Sequence, residues 1–209
     1  RYKVSDIALK ELTPAFITDF ELFLRVEKNH CNNTVWSYMM PFRKIIYMAV
    51  NNGLLQRDPF FAYSITKEKT KRGFLTKEEI RFLIDGTFKK PSYTLIRDLF
   101  IFCTFTGLSW TDMANLTQAN LQTSFDGHLW LNTNRQKTGV ETNIRLLGVA
   151  KHIIEKYRDM APDGKLLPVP CYDNCKNSIK AIAKRCGIEK NVTWHTARHN
   201  KNCIFQAMR

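Results

Sequence analysis

Acidic residues are scarce in this sequence. Nineteen Asp and Glu face 32 Lys and Arg, a formal net charge of +13. The deficit is not confined to a tail. Residues 1–73 carry 12 basic and 7 acidic side chains (+5), and residues 74–209 carry 20 and 12 (+8). A polyanion is the leading partner class; a merely soluble basic protein is the alternative that charge alone leaves open. Long apolar runs are missing too. None approaches the roughly 20 residues that cross a bilayer. The opening stretch RYKVSDIALKEL contains no apolar signal segment. We therefore expect a soluble protein with no membrane partner. Repeats and low-complexity tracts are absent. The six cysteines form no C-x-x-C, and Cys171-x-x-x-Cys175 lacks the second pair that a zinc site would need. Such a pattern suits a reducing cytoplasm, with Cys103 as a small core residue.

Hydrophobic residues make up 44% of the 209, enough for a real core in one large or two small domains. The first sixty-odd residues read as a small helical unit. PAFITDFELFLRVEK (14–28) has helical apolar spacing, and a second helix runs over the thirties and forties, with Pro41 as a kink point and Asn51-Asn52-Gly53 as its stop. Asp58-Pro59-Phe60-Phe61 begins a further short element. Residues 66–73, TKEKTKRG, hold Lys67, Lys69, Lys71 and Arg72 and no large apolar side chain. They read as an exposed basic linker able to lie on phosphates.

Beyond the linker, Thr76 and Glu79 have the spacing of a capping box. SYTLIRDLFIFCTFTG (92–107) is apolar nearly all round, which predicts a central buried helix ended by Gly107. Thr111 is the expected cap of a short helix over DMANL. HLWLNTNRQ and ETNIRLLG alternate as strands do, with Lys137-Thr138-Gly139-Val140 as the turn between them. Two more helices follow, and a last one opens near His195. The expected fold is mainly α with a small antiparallel β-sheet.

Three boxes stand in order along this scaffold: T-G-L-S-W-T-D-M-A-N-L at 106–116, a lysine beside a hairpin turn, and H-T-A-R-H at 195–199. In that order they resemble the catalytic domain of the tyrosine recombinases, the phage-integrase family. The preceding helical unit resembles that family's core-binding domain. Integrases of mobile elements in the Bacteroides group look similar. The resemblance implies a DNA-binding helical domain at 1–65, a linker at 66–73 and a mixed α+β catalytic domain at 74–209. It implies double-stranded DNA as partner, self-assembly on it, a bacterial cytoplasm, and no cofactor or metal. The implied activity is site-specific strand cleavage and rejoining through a 3′-phosphotyrosyl intermediate, as in DNA integration by a conjugative transposon.

Carried over residue by residue, Arg198 would clamp the scissile phosphate and His195 would donate to it. Lys137 would protonate the leaving oxygen. Asp112 would support the arrangement, and His199 would lie behind it. Lys67, Lys69, Lys71, Arg72 and Arg135 would meet the DNA. Each has a blander reading. Lys137 suits a surface turn, Asp112 suits a helix N-terminus, and His195 with His199 has a zinc-pair spacing without the glutamate of H-E-x-x-H. Trp110 and Trp194 read as packing residues.

Two departures stand out. Ser109 occupies the position of the family's first phosphate-clamping arginine, and Arg135 and Arg97 are the stand-in cations by sequence proximity. All seven tyrosines precede His195, and only eleven residues follow Arg198. The chain reads as truncated at both ends, lacking the nucleophile and inactive in cleavage by itself. Two alternatives remain: a non-catalytic DNA-binding regulator on the same fold, and a helical protein-interaction module.

Overall fold

The structure is a computed structural model that describes residues 6–70, 73–162 and 164–206, the side chains to residue 200. Lys71 and Arg72, two of the expected DNA contacts, lie outside the described residues. The chain forms two compact units, residues 1–71 and 72–209.

In the first unit, α1 spans Pro14–Val26 and α2 spans Asn32–Asn51. Thr13 caps α1 by accepting from the Phe16 amide, and Pro14 takes the first helical position, where a missing N–H costs nothing. Val35, Met39, Phe42, Ile46 and Ala49 recur at helical spacing along α2. Four of them are buried, and Phe42 meets Phe16, Phe20 and Phe60 edge-on. Pro41 stays within α2. The expected element at Asp58–Phe61 is a turn, because the Asp58 carboxylate accepts the Phe60 amide and draws the backbone out of helix. The start of the linker is not loose either. The Asn33 side chain both donates to the Glu68 carbonyl and accepts its amide, and Asn32 donates to the Thr66 carbonyl. These contacts hold Lys67 with its ammonium 5.1 Å from the center of the Trp36 ring.

The second unit is organized around α4, Pro91–Thr106. Ile96 and every residue from Asp98 to Thr104 are buried, so no face of this stretch is left for water. Four helices pack on it: α3 (Lys77–Asp85), α6 (Gly148–Lys156), α7 (Tyr172–Arg185) and α8 (Trp194–Gln206). Each fully buried Leu or Phe contributes about 1.5–3 kcal/mol. The lone acid in that stretch is satisfied from several sides. Arg97 forms an ion pair with Asp98, and Lys156 and Tyr157 both donate to its Oδ2 at 2.8 Å. Burial first, then this hydrogen bond, pushes the Tyr157 phenol well above its ordinary value, so it remains a donor.

Gly107 ends α4 with φ +74°, the left-handed conformation that closes its N–H on the Cys103 carbonyl. A short helix, α5 (Trp110–Ala114), follows at once. Three strands then form an antiparallel sheet in the order β1 (Leu121–Thr123), β2 (Leu129–Asn134), β3 (Glu141–Arg145). Leu131 pairs with Leu121 on one side and Ile144 on the other, and Leu131 and Ile144 turn into the core. The three-residue β1 was not expected. It is too short to show an alternation. The mainly α fold with a small antiparallel sheet is otherwise the one the sequence predicts.

The Thr76–Glu79 capping box closes on both sides, and Lys190 donates to the same glutamate at 2.7 Å. Burial opposes ionization of Glu79, but the bonds from Lys190 and the Thr76 amide outweigh it and hold its pKa below the ordinary value. A lowered folded-state pKa means that this contact stabilizes fully above the unfolded value and is lost as pH falls. Denaturation midpoints measured from pH 7 downward should drop below about pH 4.5 less steeply in Glu79→Gln than in the parent. Equal slopes would show that the box carries no acid dependence.

Candidate active site

Gly107 reverses the chain at the end of α4, and Ser109 follows in extended conformation. Its hydroxyl accepts the Asp112 amide at 3.1 Å and donates to Asp112 Oδ2 at 2.8 Å. Ser109 is therefore the cap of α5. The expected cap, Thr111, instead lies inside the first turn of α5. Ser109 can reach the Asp112 amide because it alone precedes the helix by the right spacing.

The Asp112 carboxylate is buried, at 7% exposure. Its second oxygen accepts the Gln136 amide at 3.1 Å. One carboxylate thus joins the α5 cap to the tip of the β2–β3 hairpin. The tip is itself closed: the Arg135 amide donates to the Val140 carbonyl, and the Gly139 amide returns to the Arg135 carbonyl at 2.7 Å. Lys137 projects from this turn and is exposed. Asp112 therefore positions the segment that carries Lys137, although the two residues are 25 apart in sequence.

The far side of the site comes from the start of α8. Trp194 is buried and meets Phe100 of α4 edge-on at 5.7 Å. It anchors the first turn, leaving His195 exposed and Arg198 half-buried on the next turn. Thr193 and Thr196 close that turn, with the Thr193 amide donating to the Thr196 hydroxyl. Asn200, fully buried, accepts the Leu75 amide at 2.8 Å and ties α8 to the segment before α3.

Ser109, His195 and Arg198 line one cavity of about 280 Å³, together with Trp110, Thr111, Tyr172 and Trp194. No carboxylate pairs with Arg198 among the described residues. Its charge, beside a histidine at a helix N-terminus, suits an anion of phosphate size. His199 does not line this cavity. Its ring meets that of His195 edge-on at 4.4 Å, and both border a neighboring hollow of about 540 Å³ with Lys190 and Thr193. Among the described residues no group of three or more His, Cys, Asp or Glu could hold a metal.

The remaining expected residues are placed as follows. Arg135 is half-exposed at the foot of the hairpin tip. Arg97 is excluded as a stand-in for the missing arginine. Its guanidinium donates to the carbonyls of Leu83, Ile84 and Gly86 at 2.6–3.0 Å, capping the end of α3. Lys67 and Lys69 belong to the first unit and are exposed. Tyr172 and Thr111 line the cavity without having been expected there. Tyr172 opens α7 and packs edge-on against Trp110 at 5.1 Å. No spacing relation to His195 announces it.

Residues 1–67 match the phage integrase SAM-like domain family. No curated protein matches the sequence. Several solved structures share the fold. A lambda integrase (75–356) dimer bound to a COC′ core site aligns with TM-score 0.77 at 15% identity, over 98% of this chain and 75% of that one. The Tn1549 transposon integrase in complex with circular intermediate DNA aligns with TM-score 0.72 at 13% identity, over 99% and 76%. The XerH site-specific recombinase bound to its difH substrate aligns with TM-score 0.71 at 16% identity, over 96% and 61%. At such identities the likeness establishes a recombinase fold. The family match covers residues 1–67, and for the rest of the chain the likeness is one of fold.

The bridge through Asp112 is open to test. Asp112→Ala removes an acceptor shared by a helix cap and a hairpin tip, which should cost about 1–3 kcal/mol. Hydrogen exchange at the Gln136 amide should accelerate well beyond that at the Leu131 amide in the sheet. Unchanged relative protection at Gln136 would mean that the tip holds itself.

Proposed function

We propose that this chain is the DNA-binding and phosphate-gripping part of a site-specific recombinase of a mobile element. The observation that carries the reading is Arg198, paired with no carboxylate among the described residues, beside His195 in one cavity at the start of α8. In this reading residues 1–65 are a core-binding domain, 66–73 a basic strap and 74–209 the catalytic domain. Double-stranded DNA is the partner, and copies assemble on it. The lambda and Tn1549 integrases of like fold were solved on DNA, which supports this.

In the reaction, a tyrosine oxygen bonds to phosphorus as the P–O5′ bond breaks, and the leaving 5′ oxygen takes a proton. The negative charge on the non-bridging oxygens grows during attack. Arg198 and His195 would stabilize it, since donors fixed in advance need no reorganization. Lys137 would supply the proton, with Asp112 holding its turn. The Ser109 hydroxyl is already committed to Asp112 and brings no charge. Arg135, at the foot of the same tip, is the cation nearest in sequence to Lys137 that could offset this.

No residue after Arg198 is a tyrosine. The reading assigns Arg198, His195 and Lys137 grip and activation of the phosphate, not the attack. A DNA-binding regulator on the same fold is the second reading, favored by the uncharged Ser109, whose hydroxyl is held by Asp112.

Duplex affinity should fall steeply with salt, because each neutralized phosphate contributes about −0.9 to the slope of log K against log salt. Arg198→Ala should lower the slope by about one. No measurable affinity even at low salt would overturn the DNA reading and favor a protein-interaction module. On a nicked suicide duplex the chain should form no covalent adduct. An adduct that disappears in Tyr172→Phe would overturn the division of labor and make Tyr172 the attacking group.

A further inference from the structure

We propose that Cys171 and Cys175 are a redox pair, and that a disulfide between them reshapes the wall of the cavity at Arg198. The pair spans the first turn of α7. Cys171 immediately precedes the helix and is exposed, and Cys175 is buried. The Cys175 amide donates to the Cys171 carbonyl at 3.2 Å. The Cys175 thiol leans back toward the start of the helix and donates to the Pro170 carbonyl at 3.6 Å. Both cysteines are free thiols.

The pair sits directly behind the cavity. Tyr172 stands between the two cysteines in the chain and lines the cavity with Trp110, His195 and Arg198. Its ring packs edge-on against Trp110 at 5.1 Å. Burial raises the Cys175 thiol above its ordinary value, while a hydrogen bond from the Trp110 side chain acts the other way, so the indole and the sulfur are neighbors. A movement of this turn is passed to two aromatic rings of the cavity wall.

On a helix, residues four apart have Cα atoms about 6 Å apart, inside the roughly 4.4–6.8 Å that disulfides span. Their Cβ atoms are about 5–6 Å apart, whereas a disulfide needs about 3.5–4.5 Å. The bond therefore forms only if the turn tightens. Cys171 can make that movement because its backbone (φ −57°, ψ 152°) lies outside the helical repeat. A strained disulfide is easily reduced, which suits a bond made and broken as the redox state changes. The oxidant is a small-molecule disulfide such as oxidized glutathione. The exposed Cys171, as thiolate, attacks one of its sulfurs and releases one small thiol. Cys175 gives up its proton and attacks the Cys171 sulfur, releasing the second. Two electrons and two protons pass from the pair to the small disulfide.

The test treats the full chain with oxidized glutathione and maps its cysteines by mass spectrometry. Cys171 and Cys175 should appear joined in a peptide that has lost two hydrogens. The indole N–H resonance of Trp110, assigned with Trp110→Phe, should shift in the proton–nitrogen correlation spectrum, while that of Trp36 in the first unit stays fixed. Dithiothreitol should reverse both changes. Cys171→Ser, which removes an exposed thiol, should show neither. Duplex affinity should fall severalfold in the oxidized parent and not in Cys171→Ser. A chain that keeps both thiols, or carries glutathione on Cys171 without closing the bond, overturns the pair. A closed bond that leaves the Trp110 resonance, or the duplex affinity of a binding parent, unchanged overturns its hold on the cavity. A closed bond and a shifted resonance in a chain that binds no duplex in either state support the redox pair and overturn the DNA reading.

Discussion

The burial of α4 is the constraint on which the second unit depends. A helix apolar on every face has no stable position at a surface, so other elements must cover each side. α3, α6, α7 and α8 do so, and their positions follow from that demand. The site is a consequence at one end of this arrangement. Gly107 stops α4 by entering the left-handed region, which turns the chain directly into Ser109 and α5. Trp194 packs against Phe100, which sets the first turn of α8 beside it. The cavity at Ser109, His195 and Arg198 lies where these two chain reversals meet.

Ser109 illustrates how a substitution at a site changes meaning with its surroundings. In sequence it stands where the resemblance expects a positive charge. In structure it is a helix cap that shares its hydroxyl with Asp112, and Asp112 extends the same network to the Gln136 amide. The position has a mechanical task, capping α5 and bonding the carboxylate that holds the hairpin tip. Arg97 does not supply the charge that the resemblance expects there, because it terminates α3. A guanidinium that spends Nη1 on three carbonyls and Nε on an ion pair with Asp98 is tied to its own fold.

Much of the local structure was legible. The all-apolar run announced α4, the Thr76–Glu79 spacing announced a capping box, and strand alternation with a Gly-containing turn announced β2 and β3. These signals are periodic or stereochemical, so a short window contains them. Three features were not legible for the opposite reason. β1 has too few residues for a period. The clip from Asn32 and Asn33 onto the linker joins residues more than thirty apart. Tyr172 reaches the cavity only because α7 packs against α4, and nothing in its own neighborhood marks it.

By itself the sequence determined the helical periods, the stops at glycine, the excess of positive charge and the order of the three boxes. Each of these depends on side-chain type and on spacing of a few residues. The tertiary structure decided which of the boxed residues share a cavity, which arginine has no carboxylate partner among the described residues and what Ser109 does. Those outcomes depend on contacts between segments as far apart as Ser109 and Arg198. The burial of α4, which leaves its neighbors few ways to pack, brings such segments to one cavity.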